Sequence, residues 1–117
     1  MIAVIFEVEP REGCTDAYLA TAAALRPQLE RIDGFISVER FRSLTHPKKL
    51  LSLSFWRDEA AIAEWRTLES HRKAQRMGRD DVFAGYRLRI AAVVRDYGMT
   101  ERDEAPADSR DVHDPRR

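Results

Sequence analysis

The sequence predicts an α+β domain of the ferredoxin-like, split β-α-β-β-α-β kind, with a four-stranded antiparallel sheet. Three observations carry this. Two strand-like runs, Phe35–Ser43 and Lys49–Trp56, flank a turn at Thr45-His46-Pro47, so they should pair as a hairpin. A strand and an amphipathic helix precede the hairpin. A helix and a strand follow it. That order places the helices on one face of the sheet and leaves the other face without cover from the chain itself.

Each element has its own local reasons. Ile2–Glu9 is rich in β-branched and aromatic residues, and Pro10 ends it. Ile2, Val4, Phe6 and Val8 form one apolar face, while Ala3 and Ile5 make the other partly apolar. A strand apolar on both faces is covered on both sides. The chain's helices supply one cover, and a second subunit is expected to supply the other. Thr15 or Asp16 is the expected N-cap of the first helix. Tyr18, Ala22, Leu25, Leu29 and Ile32 recur at helical spacing along it. Pro27 should kink or restart that helix near Leu25–Arg26, and Asp33-Gly34 should close it.

In the second hairpin strand Leu51, Leu53 and Phe55 alternate with Ser52 and Ser54, giving one apolar and one small polar face. In the first, Glu39, Arg40 and Arg42 bring charge into the sheet. Asp58–Arg66 and Thr67–Met77 read as helical with a bend between them, and Ala61, Ile62, Trp65 and Leu68 form the inward stripe. Gly78 punctuates. A short piece, Asp80–Phe83, leads into a long last strand, Tyr86–Tyr97.

A chain of 117 residues with 44% hydrophobic content supports one domain with one core. Residues 1–99 are assigned to it, and 100–117 form a charged tail. The tail holds four basic and six acidic residues and almost nothing apolar, so it is not expected to order itself. Basic and acidic residues are 20 each, which excludes a global field for nucleic acid or an anionic membrane. The basic run His71–Arg79 has no interleaved aromatic platform, so nucleic acid is not an expected partner. Cys14 is the only cysteine, and no intrachain disulfide can form. With no charged leader or long apolar run, a soluble cytoplasmic protein is the expectation. His46 and His113 lack partners at metal-ligand spacing, and there is no GxGxxG, P-loop, CxxC or HExxH. A cofactor-free reaction, or no reaction, is what remains.

Gly34-Phe35 after the first helix, the strand end Ser54-Phe55-Trp56, the helix start Asp58-Glu59-Ala60-Ala61, Trp65, His71 and Tyr97 together resemble the antibiotic biosynthesis monooxygenase (ABM) domain family. That family is a branch of the dimeric α+β barrels, and the resemblance spans about residues 1–98. It implies a homodimer through the open sheet face. It implies a monooxygenase, an oxidoreductase that uses no metal or flavin and oxidises an aromatic or quinol-like molecule with molecular oxygen. The alternatives within the same fold are a non-enzymatic small-molecule-binding or stress-related dimer and, third, a haem-binding or haem-degrading protein.

The resemblance also assigns residues. Trp65 matches the helix tryptophan that lines the substrate pocket. His71 aligns with a pocket tyrosine and is the candidate general base, and Arg87 or Arg89 falls where the last strand supplies an arginine. Phe6, Phe55, Phe83 and Tyr86 are expected to shape the pocket around a small hydrophobic ligand. Each has a plainer reading: a core tryptophan, a solvated histidine in a polar run, solvated strand arginines. The oxygenases place an asparagine just before the helix tryptophan, where this chain has Ala60-Ala61-Ile62-Ala63 and contains no asparagine at all.

Overall fold

The computed structural model describes residues 1–114. Its elements are β1 (Ile2–Pro10), α1 (Thr15–Glu30), β2 (Phe35–Arg42), β3 (Leu50–Trp56), α2 (Glu59–Thr67), α3 (Glu69–Met77), a π-helical turn Gly78–Val82, β4 (Phe83–Ala92) and α4 (Ala107–His113). The strands form one sheet in the order β2-β3-β1-β4, with every pair antiparallel. This is the α+β arrangement expected from the sequence. Among the described residues no helix is long and apolar enough to cross a membrane.

The register decides what faces what. Across the sheet, Arg40 stands opposite Ser52, Ser52 opposite Phe6, and Phe6 opposite Leu88. The next row is Val38, Ser54, Val4 and Ile90. Successive strand residues point to opposite faces, so these rows lie under the helices. The other face carries Ala3, Ile5, Leu51, Leu53 and Phe55. The helices therefore cover the serine face of β3, and the leucine face is the bare one.

Two small apolar clusters hold the helices on. Leu29, Ile32, Trp56, Ala61 and Ile62 form one, with Trp56 almost fully buried. Val8, Tyr18 and Leu50 form the other. Near the first cluster, Gly34 has φ of +96°, a left-handed conformation that costs other residues strain. A Cβ there would sit 2.9 Å from the Cβ of Ala61. Arg57 ties the same corner together. Its backbone N–H donates to the Gly34 carbonyl at 2.7 Å, and its side chain pairs with Asp33 and Asp58, each at 3.1 Å. Asp58 also caps α2 by accepting from the Ala61 N–H at 2.9 Å.

Four local expectations are corrected. Cys14, not Thr15 or Asp16, occupies the N-cap of α1, with no side-chain cap bond. Pro27 does not break α1, which runs on to Glu30. Pro27 lies in the last turn and is exposed, so the carbonyl it leaves without a donor meets water. The last strand spans Phe83–Ala92 rather than Tyr86–Tyr97. It pairs with β1 over Ile2–Pro10, and the ladder closes with the Val93 N–H donating to the Met1 carbonyl at 3.0 Å.

The fourth correction concerns the tail, which does carry structure. Arg102 donates to Asp114 at 2.8 Å, to the Ser109 hydroxyl at 2.6 Å and to the Gly98 carbonyl at 3.1 Å, and its guanidinium lies 5.3 Å from the Tyr97 ring centre. Arg110 donates to the carbonyls of Ala105, Arg102 and Asp103, so two multiply bonded arginines supply the order that apolar area does not. Among the described residues the hydrogen bonds of this segment stay between Asp96 and Asp114. Truncation after Gly98 is therefore expected to lower the melting temperature by less than about 3 °C. Differential scanning calorimetry checks this. A much larger drop would show that the tail braces the sheet.

Candidate functional site

Between the two clusters the helices stand clear of the sheet and leave a cavity of about 380 Å³. Close-packed interiors do not leave such a space idle, and its size falls in the range of small-molecule sites, ~300–1,000 Å³. The two central rows of the sheet make its floor. Tyr18, Leu25 and Leu29 of α1, with Ile62 and Trp65 of α2 and His71 of α3, make its roof. Tyr86, Leu88 and Ile90 of β4 line it yet remain 44%, 51% and 43% exposed. The mouth thus opens along the β4 edge.

The break between α2 and α3 is what creates the roof's reactive feature. Leu68 is extended, with φ −60° and ψ 133°, and its N–H still bonds the Trp65 carbonyl at 3.2 Å. The chain doubles back, and the His71 ring stacks on the Trp65 ring with centres 4.2 Å apart at 19°. Nδ1 of His71 lies 3.1 Å from the Trp65 carbonyl oxygen. A carbonyl can only accept, so Nδ1 carries the proton, and in the neutral ring Nε2 holds the lone pair. Burial pushes the His71 pKa below its ordinary value. The Trp65 carbonyl opposes the shift, and the nearby Arg72 charge adds to it. Neutral imidazole is therefore the resting form near pH 7.

The far wall is aromatic. Phe6 packs on Phe83 and Tyr86 with ring centres 5.8 and 5.6 Å away, and Tyr18 meets the Phe83 edge at 5.7 Å. Gly78 lies so close to Phe83 that a Cβ there would come within 2.5 Å of its ring. Arg79 donates to the Tyr86 hydroxyl at 2.8 Å at the mouth. Arg40 rises from the floor, its Nε 3.4 Å from the Tyr18 hydroxyl.

Of the residues singled out from the sequence, His71, Trp65, Phe6, Phe83 and Tyr86 meet at this cavity. Phe55, Arg87 and Arg89 do not. Their strand positions give them the opposite parity, so they sit on the bare face. Arg89 pairs there with Glu7 at 3.3 Å, and Arg87 lines a shallow polar groove with Glu9 and Lys48. Sequence reasoning missed Tyr18, Ser52, Arg66 and Arg79 as lining residues. Ser52 was findable by carrying the parity of Val4 and Phe6 across the ladder, which also picks Arg40 out of the strand arginines Arg40, Arg42, Arg87 and Arg89 that the sequence offers for an anion-binding cavity. Arg79 was not, because a π-helical turn has no sequence pattern of its own. Among the described residues no group of three His, Cys, Asp or Glu is placed to hold a metal ion.

Residues 1–77 match the family model described as antibiotic biosynthesis monooxygenase. The chain is 50% identical over 93 residues to a jasmonate monooxygenase of Pyricularia oryzae, a match that takes in 80% of this chain but only 43% of the relative's length. Among solved structures, a Mycobacterium tuberculosis protein superposes with a TM-score of 0.73 at 18% identity, covering 83% of this chain and 98% of that one. An antibiotic biosynthesis monooxygenase superposes with a TM-score of 0.69 at 15% identity, covering 80% and 99%. At these identities the solved structures share the fold.

The depressed His71 pKa has a consequence for stability. As pH falls below about 6.5 the unfolded chain takes up this proton before the folded one does, so stability is lost from there down to the folded-state value. The melting-temperature gap between wild type and His71→Gln should therefore shift against wild type between about pH 7 and pH 5. Parallel pH profiles would show that His71 titrates as a free histidine.

Proposed function

Because the chain belongs to the antibiotic biosynthesis monooxygenase family, we propose that it oxidises a small aromatic or quinol-like molecule with molecular oxygen, without a metal or flavin. The observation that carries this reading is the His71 imidazole, stacked on Trp65 at the wall of the cavity with Nδ1 on the Trp65 carbonyl and Nε2 left to act. A substrate lying on the floor would meet His71 from above. His71 Nε2 takes a proton from an activated methylene carbon of the substrate. The resulting anion gives its electrons to oxygen and forms a peroxide at the same carbon. The peroxide loses hydroxide to leave a carbonyl, and the imidazolium returns its proton to make water. A methylene group and one molecule of oxygen become a carbonyl and one water. Trp65 and the aromatic wall hold the flat body of the substrate and keep bulk water from the anion.

A second reading is a binding protein that keeps the cavity without turnover. It is favoured by the alanines at Ala60, Ala61 and Ala63, in the stretch where the family's oxygenases carry an asparagine. The two readings part in one experiment. Oxygen uptake is measured with anthrones, hydroquinones, catechols and, given the name of the fungal relative, jasmonate. On an active substrate, His71→Ala is expected to cut the rate by roughly 10²–10⁴ with little change in melting temperature. Trp65→Phe is expected mainly to weaken substrate binding. Uptake by none of these compounds sinks the oxygenase reading in favour of the binding one, and a fully active His71→Ala sinks the base assignment.

The bare face of the sheet supports a further part of the proposal, a homodimer. Leu51, Leu53 and Phe55 stand on it with Ile5. Phe41 and Ile36, on the same outer strand, are 42% and 52% exposed. Apolar surface of this kind is costly in water. Light scattering on the purified protein should give twice the 13.5 kDa chain mass. A monomer at micromolar concentration overturns it.

A further inference from the structure

The charges around the cavity are of one sign. Arg40, Arg66 and Arg79 line it, and among the described residues no carboxylate does. The nearest strand acids are turned away by parity. Glu39 follows Leu53 in the β2–β3 register and Glu7 follows Leu51 in the β1–β3 register, both on the bare face.

Arg66 and Arg79 are exposed and belong to the rim. Arg40 is different. It is partly buried on the floor, and no ion pair among the described residues includes it. Its polar contact is the Tyr18 hydroxyl at 3.4 Å, a long bond to a neutral group, with the guanidinium carbon 5.9 Å from the Tyr18 ring centre. A part-buried guanidinium without a counter-charge is poorly compensated. Arg40 uses Nε on the phenol oxygen, so the two terminal nitrogens keep the forked geometry that fits a carboxylate. Tyr18 accepts that bond with its oxygen, which leaves its own O–H proton to donate. Ser52, directly across from Arg40 in the register, adds a second hydroxyl. Ser54 is already engaged, because its oxygen accepts from the Trp56 indole N–H at 2.9 Å.

The polar donors thus gather at the β2–β3 end of the floor. From there towards the β4 mouth the floor is Phe6, Leu88, Val4 and Ile90. We propose that the cavity selects amphiphilic monocarboxylates, with Arg40, Tyr18 and Ser52 anchoring the carboxylate and the apolar body lying across the sheet towards β4. This rests on the cavity being the substrate site. A dianion such as a phosphate ester would leave charge uncompensated over a floor with one arginine. The anchor holds the ligand away from the mouth and under the His71–Trp65 pair, so it decides which carbon of the body meets the base.

The test is calorimetric titration with 1-naphthylacetate and decanoate, each beside its methyl ester. Wild type should bind each acid at least ~10-fold more tightly than its ester. Arg40→Met should cost the acids roughly 10–100-fold, the span of a hydrogen bond to a charged group, and leave the esters unchanged. Arg40→Lys keeps the charge but loses the fork, and it should weaken acid binding by several fold. If Arg40→Met does not fold, Arg40→Lys decides the matter. Arg87→Met, on the bare face, should change nothing. Equal affinity for acid and ester in wild type overturns the proposal. So does an acid preference that survives Arg40→Met, undiminished acid binding in Arg40→Lys, or the absence of sub-millimolar binding by either acid. Oxygen uptake is scored separately. Acid preference without uptake refutes the oxygenase reading alone, and uptake from uncharged quinols without acid preference refutes the anchor alone.

Discussion

Side-chain parity along one antiparallel ladder is the constraint on which the site depends. Four strands in the order β2-β3-β1-β4 bring Arg40, Ser52, Phe6 and Leu88 into a single row. A slip of one residue in any pairing would turn that strand's set to the other face, and a slip of β3 would exchange Ser52 for Leu51 or Leu53 in the cavity. The register is strongly held because the two ends of each strand are pinned in different ways. Trp56 and Val8 are almost fully buried at opposite ends of the covered face. The Arg57 clamp fixes the start of β2 against the end of β3. Neither strand can slide without exposing one of them.

The same parity explains a division of labour that hydrophobicity alone would reverse. The helices cover the face of β3 that carries serines, and its leucines look outwards. A face with small polar groups leaves volume beneath the helices, and volume is what a site needs. Packing is correspondingly thin there: the helices are held by two small clusters with the cavity between them. Filling that space with larger side chains would give a sturdier core and no cavity, the usual opposition between stability and a working site.

Much of this was legible in the sequence. Strand alternation and the proline and glycine punctuation set out the elements in order. The helix stripe Ala61, Ile62, Trp65 and Leu68 points inwards as its spacing says. Trp65, His71, Phe6, Phe83 and Tyr86 could be named as a group before the fold was known. The errors have three physical sources. Arg87, Arg89 and Phe55 were assigned to the pocket from their place in a pattern, without carrying the parity of β1 across to β3 and β4. Apolar content alone leaves the tail without order, but Arg102 and Arg110 order it with hydrogen bonds, a contribution that composition cannot display. The end of β4 depends on where β1 begins, so it is a property of the pair and not of either strand.

Both tryptophans of the chain, Trp56 and Trp65, belong to the walls of the same cavity. One is sealed and rigid, its indole N–H held by Ser54; the other lies against an ionisable ring. An imidazolium quenches indole emission more strongly than a neutral imidazole does. Emission from Trp65 therefore changes with the charge on His71, while the sealed Trp56 supplies a steady reference. With no third tryptophan in the sequence, the protein carries its own optical reporter of the base and the standard against which to read it.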